Sequence, residues 1–116
     1  QRALNNGDLV GMLPDQDPGK EGGLMSPFFG KKVNTMTLLA RIAKKQNAQV
    51  LMFWAVRLDD GQGFDLRFEP EDLNAKGVNL EGREGQMNQS IASLIRRKPE
   101  QYMWSYKRFK SSHSYI

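Results

Sequence analysis

The order of strand and helix patterns in this 116-residue chain predicts an α/β fold, with a mixed sheet flanked by helices. Strand patterns occur over residues 9–13, 49–57 and 64–69. Residues 36–46 and 83–97 place their apolar side chains at helical spacing. One helix follows the first strand and the other follows the last, which is the arrangement that α/β proteins use to cover a sheet.

The N-terminal part of the chain predicts a short helix, a strand and a long loop. Residues 1–6 resemble the last turn of a helix, and Gly7 is placed as the glycine that ends it. The apolar run 9–13 (LVGML) predicts a buried strand that stops at Pro14. Residues 15–32 contain many Gly and Pro residues, and this composition predicts a loop.

The middle of the chain predicts a hairpin. Residues 49–57 (QVLMFWAVR) are apolar at both alternating positions, which is typical of a strand covered on both faces. Residues 64–69 alternate between apolar and charged side chains, so we expect a half-buried strand there. The turn-forming residues 59–63 (DDGQG) join the two strands.

Both predicted helices have signals at their ends. Asn34 or Thr35 can cap the helix over 36–46, in which the apolar side chains fall on one face and the basic ones on the other. The helix over 83–97 ends before Pro99, which cannot continue it.

Composition excludes several classes of site. The chain has no Cys, so it holds no disulfide, thiolate metal site or Cys nucleophile. Its single His, His113, argues against a His-rich metal site or a Ser–His–Asp triad within the chain, and we assign it no catalytic role. The longest apolar run, 50–56, is far shorter than the roughly 20 residues that a membrane-spanning helix requires.

Positive charge is concentrated near the C-terminus. The chain carries a net charge of +4, from 17 Lys and Arg against 13 Asp and Glu. From Arg96 onward there are six basic residues and one acidic residue (+5), which leaves 11 basic and 12 acidic residues (−1) in 1–95. Such a segment suits an anionic lipid, a membrane surface, a nucleic acid or an acidic protein. A solvated tail is the simpler alternative.

One polar motif directly follows the first predicted strand. In open α/β sheets ligands bind beyond the carboxyl ends of the strands. The carboxylates Asp15 and Asp17 of the LPDQD sequence can therefore bind a metal, accept hydrogen bonds from substrate hydroxyls or orient another catalytic group. A turn uses the same residue types. An EF-hand is excluded because its required Gly and Glu are missing at the sixth and twelfth positions counted from Asp15. A metal-dependent glycosyltransferase that uses Asp15 and Asp17 stays open.

Residues 101–110 (QYMWSYKRFK) interleave aromatic and basic side chains. Such a segment can stack bases and bind phosphates, or it can lie at the surface of an anionic membrane. Its rings can also simply pack on the sheet. A non-catalytic binding module for anionic lipid or nucleic acid is therefore the alternative to an enzyme.

Four segments together resemble one family, the late acyltransferases of lipid A biosynthesis. These lauroyl- and myristoyl-type enzymes belong to the wider lysophospholipid acyltransferase group. The resemblance rests on residues 7–19 (GDLVGMLPDQDPG), 27–30 (PFFG), 35–43 (TMTLLARIA) and 99–110 (PEQYMWSYKRFK), which match in order and spacing.

The resemblance implies transfer of a fatty acyl chain from acyl carrier protein to a hydroxyl of a phosphorylated lipid A precursor. It implies no cofactor, no metal and no nucleic-acid partner, and it implies action at the inner-membrane surface, on the cytoplasmic face. The family's catalytic His and acid stand in an H-x4-D/E motif that this chain lacks, so we assign no catalytic residue within it.

The resemblance therefore identifies residues 1–116 as the C-terminal half of a single acyltransferase domain, with the catalytic motif and the membrane anchor upstream. A degenerate, inactive relative is the other explanation. Carried over by residue, Asp15, Gln16 and Asp17 would position substrate. The other carried-over residues are phosphate- or anion-binding candidates and acyl-channel candidates, namely Lys107, Arg108 and Lys110 for the anion and Phe28 and Phe29 for the channel.

Overall fold

The structure, a computed structural model, describes residues 2–73 and 79–112. Across these residues it contains three α-helices and four strands, and the strands form two antiparallel hairpins rather than one mixed sheet. The α/β class is confirmed. The helices are α1 (Arg2–Asn5), α2 (Leu38–Gln46) and α3 (Leu80–Arg97), and the strands are β1 (Gly23–Phe28), β2 (Lys31–Met36), β3 (Val50–Arg57) and β4 (Phe64–Glu71).

The first hairpin, β1–β2, lies where the sequence predicts a loop, so that prediction is wrong. Phe28 pairs with Lys31 across a two-residue turn of Phe29 and Gly30, both with positive φ. The Gly and Pro content hid this hairpin, because Pro27 is tolerated in a strand that pairs on one side only. Its buried face is half polar, with Ser26, Phe28, Val33 and Thr35 turned inward.

The second hairpin, β3–β4, is confirmed, with Arg57 opposite Phe64. The prediction that its second strand is half-buried is wrong, because Phe64, Leu66 and Phe68 are 59–63% exposed. The prediction that its first strand is covered on both faces is wrong. One face, which includes Val56, lies toward the interior, whereas Phe53 on the other face is 58% exposed. Within the described residues no element packs over that outer face, so apolar composition on both faces did not indicate two covering layers.

Helix ends shift from their predicted positions for local reasons. Asn34 and Thr35 lie in β2, and Thr37 is the residue that precedes α2. Helix α3 begins about one turn earlier than predicted, because the side chain of Asn79 accepts a hydrogen bond of 2.8 Å from the Gly82 amide.

The segment before the first hairpin is irregular. Helix α1 ends at Asn5, and Gly7 two residues later has a φ of 82°, which confirms its predicted role in ending the helix. The strand predicted over 9–13 is absent, and Leu9 is 96% exposed. A strand requires a neighbouring backbone to pair with, and none of the described strands pairs with this run. The sequence predicts no regular element over residues 70–82. Residues 74–78 of that stretch, and His113, lie outside the described residues.

The hydrophobic core lies between α3 and the inner face of the first hairpin, and it continues to the inner face of β3. Met87 and Ile91 on α3 pack here, because helical spacing places them on one face. The core residues are Phe28, Val33, Leu73, Met87, Ile91, Ala92 and Ile95.

Candidate functional site

A cavity of about 390 Å³ lies between residues 10–15, helix α2, strand β3 and helix α3. Apolar side chains provide most of its lining, and they come from segments that are distant in the sequence. Its volume falls in the range of small-molecule sites. The side chains that form its wall include Leu4, Met12, Leu13, Leu39, Ile42, Val50, Met52, Trp54, Ile91, Leu94 and Ile95.

Asp15, Gln49 and Tyr102 provide polar groups in this mostly apolar wall. The Tyr102 hydroxyl is buried and has no hydrogen-bond partner among residues 2–73 and 79–112. Burial raises the pKa of the Tyr102 phenol, and the negative charge of Asp15 raises it further, against the opposing charge of Arg108. The phenol therefore stays protonated at neutral pH and is a donor without an acceptor, beside an acceptor carboxylate.

Asp17 has a different environment from Asp15. Its side chain is 1% exposed, and its carboxylate accepts hydrogen bonds from the Gly19 amide at 2.8 Å, the Ser111 hydroxyl at 2.9 Å and the Asn34 amide at 3.1 Å. Burial acts to raise the pKa of Asp17, but these hydrogen bonds and the charge of Lys110 together lower it. Asp17 thus ties its loop to β2 and to the C-terminal segment.

Gln16 lies between these two carboxylates with an exposed side chain. Its backbone amide bonds the Leu13 carbonyl at 3.3 Å, which closes the turn after the extended segment. The structure therefore brings Asp15 to the cavity, directs Asp17 into the protein and leaves Gln16 at the surface.

Residues 99–110, called here the C-terminal brace, connect separate parts of the fold. The Gln101 side chain bonds both backbone groups of Arg57 at the end of β3, accepting at 2.7 Å and donating at 3.1 Å. The Tyr106 hydroxyl accepts from the Asp17 amide at 2.7 Å. The brace fixes the Asp15 loop relative to β3, and both of these line the cavity.

Arg108 is a buried part of this brace. It is 1% exposed, and its guanidinium donates to the Asn34 carbonyl at 2.6 Å and to the Thr35 hydroxyl at 3.4 Å. It also lies 5.5 Å from the centroid of the Phe28 ring. Of the three predicted anion-binding residues, Lys107 and Lys110 are exposed, and Lys110 Nζ lies 3.8 Å from Asp17 Oδ1.

The two predicted acyl-channel residues lie away from the cavity. Phe28 is 3% exposed in the core, and Phe29 forms the tip of the first hairpin. Neither ring contributes to the cavity wall. The residues that sequence reasoning missed are Tyr102 and Gln101. The PEQY sequence contains both, but nothing in its composition indicates which backbone or cavity each would reach.

The described ranges contain neither a cluster of metal-ligating side chains nor a membrane-spanning helix. Among residues 2–73 and 79–112, no group of three or more His, Asp or Glu side chains is gathered as a metal site would require. No helix in the same ranges is both long and apolar enough to cross a membrane.

Residues 1–111 match the family described as bacterial lipid A biosynthesis acyltransferases. Over 110 residues the chain is 34% identical to the lipid A biosynthesis palmitoleoyltransferase of Escherichia coli (strain K12), covering 94% of this chain and 36% of that protein. Over 111 residues it is 31% identical to the lipid A biosynthesis lauroyltransferase of the same strain, covering 95% and 36%. A lipid A biosynthesis acyltransferase of Haemophilus influenzae is 27% identical, again covering 95% and 36%.

The fold is that of a small α/β unit with a partly apolar cavity beside a loop carboxylate. The match over residues 1–111 shows that the chain belongs to the lipid A biosynthesis acyltransferase family. It spans 36% of the length of these relatives.

Proposed function

We propose that this chain is the C-terminal portion of an acyltransferase that moves a fatty acyl chain from acyl carrier protein to a hydroxyl of a lipid A precursor. The family match over nearly the whole chain is the observation that carries the proposal. The His–acid motif would come from sequence outside these residues, since the chain contains no H-x4-D/E. That His would act as general base on the acceptor hydroxyl.

The cavity supplies the apolar environment that an acyl chain requires. Burial of each CH₂ group contributes about 0.8 kcal/mol, so a lined groove of this size favours a hydrocarbon chain over a sugar. In this proposal the cavity wall, rather than Phe28 and Phe29, contacts the chain. Asp15 accepts a hydrogen bond from the acceptor, and Gln16 contacts the same ligand from the surface.

Asp17 and Arg108 have indirect roles in this proposal. Asp17 holds the Asp15 loop through Asn34 and Gly19, and Arg108 holds the brace against β2. The exposed Lys107 and Lys110 are then the groups that meet a phosphate of the precursor or the acidic surface of the carrier protein. The reaction takes place at the cytoplasmic face of the inner membrane and requires no cofactor.

Acyl transfer in vitro tests the proposal. The complete reading frame and the 116-residue chain are each given acyl carrier protein loaded with a fatty acid, and a tetra-acylated lipid A precursor. We expect transfer by the complete product and none by the 116-residue chain alone. Absence of transfer by both, with salt-sensitive binding of anionic vesicles or oligonucleotides, would favour the binding module instead.

A substitution tests the assigned role of Asp15. In the complete protein Asp15→Ala should lower kcat/KM about 10- to 100-fold, since a misplaced substrate costs factors of this size. Asp59→Ala is the matched control, because Asp59 is exposed in the turn of the second hairpin. Normal transfer by Asp15→Ala would show that Asp15 does not position the substrate.

A further inference from the structure

The tip of the first hairpin holds a phenylalanine in an unfavourable backbone conformation. Phe29 has a φ of 47°, and Gly30 follows with 77°. A two-residue turn with both φ values positive favours Asn or Gly at its first position. A bulky residue there costs about 1–3 kcal/mol, and such strain tends to occur at functional sites.

Three contacts hold the Phe29 ring in place. Its centroid lies 4.7 Å from that of Phe28 and 6.2 Å from that of Trp104. The guanidinium carbon of Arg96 lies 4.8 Å from the same ring centroid. The strained turn therefore joins the first hairpin to the end of α3 and to the C-terminal brace on one surface.

This hairpin-tip surface exposes apolar groups. Met103 is 69% exposed and Trp104 is 54% exposed. Trp104 is fixed in orientation, because its indole N–H donates to the Pro99 carbonyl at 2.7 Å and its ring meets Tyr102 edge-on at 4.8 Å. An ordered Trp beside an unbranched Met gives a rigid apolar patch surrounded by solvent.

Exposed cations flank Phe29 in the hairpin and contact its ring from α3. Lys31 and Lys32 follow the turn directly and are exposed, as is Arg96. The nearby acid Glu100 lies 3.9 Å from Lys98, so part of its charge is offset. Trp at the headgroup level together with Lys and Arg beside it is the combination that binds anionic bilayers.

We propose that the hairpin-tip surface, made of Phe29, Lys31, Lys32, Arg96, Met103 and Trp104, docks on an anionic lipid bilayer. This inference rests on the proposed function, in which the acceptor is a membrane lipid. A single-stranded nucleic acid fits less well. The Trp104 ring already contacts two other rings, which leaves less of its face for a base. Met103, the most exposed apolar side chain of the hairpin-tip surface, has no ring on which a base can stack.

Vesicle binding by the complete acyltransferase domain, prepared without the upstream membrane anchor that the resemblance implies, tests the surface. An inserted anchor would hold every variant on the vesicles. Vesicles of phosphatidylcholine alone are compared with vesicles containing 30 mol % phosphatidylglycerol, at low and high salt. The variants are Met103→Ser and the double charge reversal Lys31→Glu/Lys32→Glu. The matched controls are Leu38→Ser, at an apolar position 52% exposed on α2, and Lys44→Glu/Lys45→Glu, which changes the net charge by the same amount.

We expect each hairpin-tip variant to weaken binding to anionic vesicles at least five-fold, and the charge reversal to remove most of the salt dependence. The controls should stay within two-fold of the parent. Equal losses in the tip and control charge reversals would mean that net charge alone drives binding, and would overturn the proposal. The proposal would also be overturned if the parent bound oligonucleotides but not vesicles, and the tip variants lost that oligonucleotide binding.

Activity in two media separates this inference from the proposed function. With the acceptor embedded in anionic vesicles, the tip variants should transfer acyl groups at least five-fold more slowly than the parent. With the acceptor dispersed in detergent, they should match it. A parent without transfer in either medium would refute the proposed function but leave the vesicle-binding result to decide the surface. Tip variants as active as the parent on vesicles would refute docking alone.

Discussion

Both hairpins are pairs of antiparallel strands, but they differ in what covers them. In the first, Phe28 is 3% exposed and Val33 is fully buried. In the second, the outer face exposes large apolar side chains to an extent of 58–63%. These are Leu51, Phe53, Phe64, Leu66 and Phe68. Alternation along a strand determines which side chains share a face, but it does not determine whether another layer packs on that face.

The attachments of the two hairpins to α3 also differ in kind. The first is held by core packing and by buried bonds, such as that of 2.8 Å from Asn88 to the Thr35 hydroxyl. The second adds ion pairs and hydrogen bonds at the surface, including the contact of Arg97 with Glu69. Exposed ion pairs contribute about 0–1 kcal/mol. The first hairpin should therefore dominate stability, although the second has longer strands.

The same substitution in each hairpin gives the largest contrast. Phe28→Ala should lower the free energy of unfolding by about 3–5 kcal/mol, because it opens a cavity in the core. Phe68→Ala, at a position 60% exposed, should lower it by less than about 1 kcal/mol. Urea unfolding of both variants measures the difference. Equal losses would mean that the outer face of the second hairpin is covered in solution.

The buried guanidinium of Arg108 offers the next contrast. Arg108→Met should destabilise the protein by about 2–4 kcal/mol, since the Asn34 carbonyl loses its donor and the brace loses its contact with β2. Arg67→Met is the control in the second hairpin, because Arg67 makes only an exposed pair with Asp65 there. Thermal unfolding that is unchanged by Arg108→Met would show that the brace is held by its other bonds.

The buried carboxyl group of Glu84 on α3 predicts that the stability of the protein depends on pH. This residue is fully buried, and within the described part of the chain both its carboxyl oxygens lack a hydrogen-bond partner. Burial raises its pKa from 4.5 to about 7, against the opposing charges of Arg41 and Arg83. The folded state thus keeps a proton that the unfolded state releases.

Stability linked to Glu84 is therefore complete below pH 4.5 and is lost as pH rises through about 7. The loss is on the order of 2–3 kcal/mol. Glu84→Gln cannot ionise, so it should equal the parent near pH 5 and exceed it at pH 8. Urea midpoints measured across this range check the sign. Parallel curves for parent and variant would mean that Glu84 is ionised or solvated in the folded protein.

The Asp17 carboxylate predicts that stability increases with pH in the acid range, which is opposite to the effect of Glu84. Its lowered pKa stabilises the folded state above about pH 4, and this stability is lost as pH falls through the lower folded value. Asp17→Asn should cost about 1–2 kcal/mol at pH 7 and flatten the acid limb of the stability curve. Asp59→Asn, in the turn of the second hairpin, should change neither. An unaltered acid limb in Asp17→Asn would show that the Asp17 carboxylate does not form its hydrogen bonds with Gly19, Asn34 and Ser111 in solution.

Some parts of this protein follow from local sequence. The second hairpin follows from strict alternation over 64–69 and from the DDGQG turn, because both act over a few residues. The amphipathic spacing of α3 and the glycine that ends α1 are equally local. The C-terminal residues 99–110 carry the family resemblance, since their side chains form an uncommon sequence.

Only the tertiary structure decided the other features. Asp15 and Asp17 are two residues apart and chemically identical, yet one borders the cavity and the other is bonded within the protein. Arg108 lies in a basic segment that suggests anion binding, and it is buried because Asn34, 74 residues away, accepts its hydrogen bond. Burial and hydrogen-bond partners come from distant parts of the chain, and local composition carries no information about them.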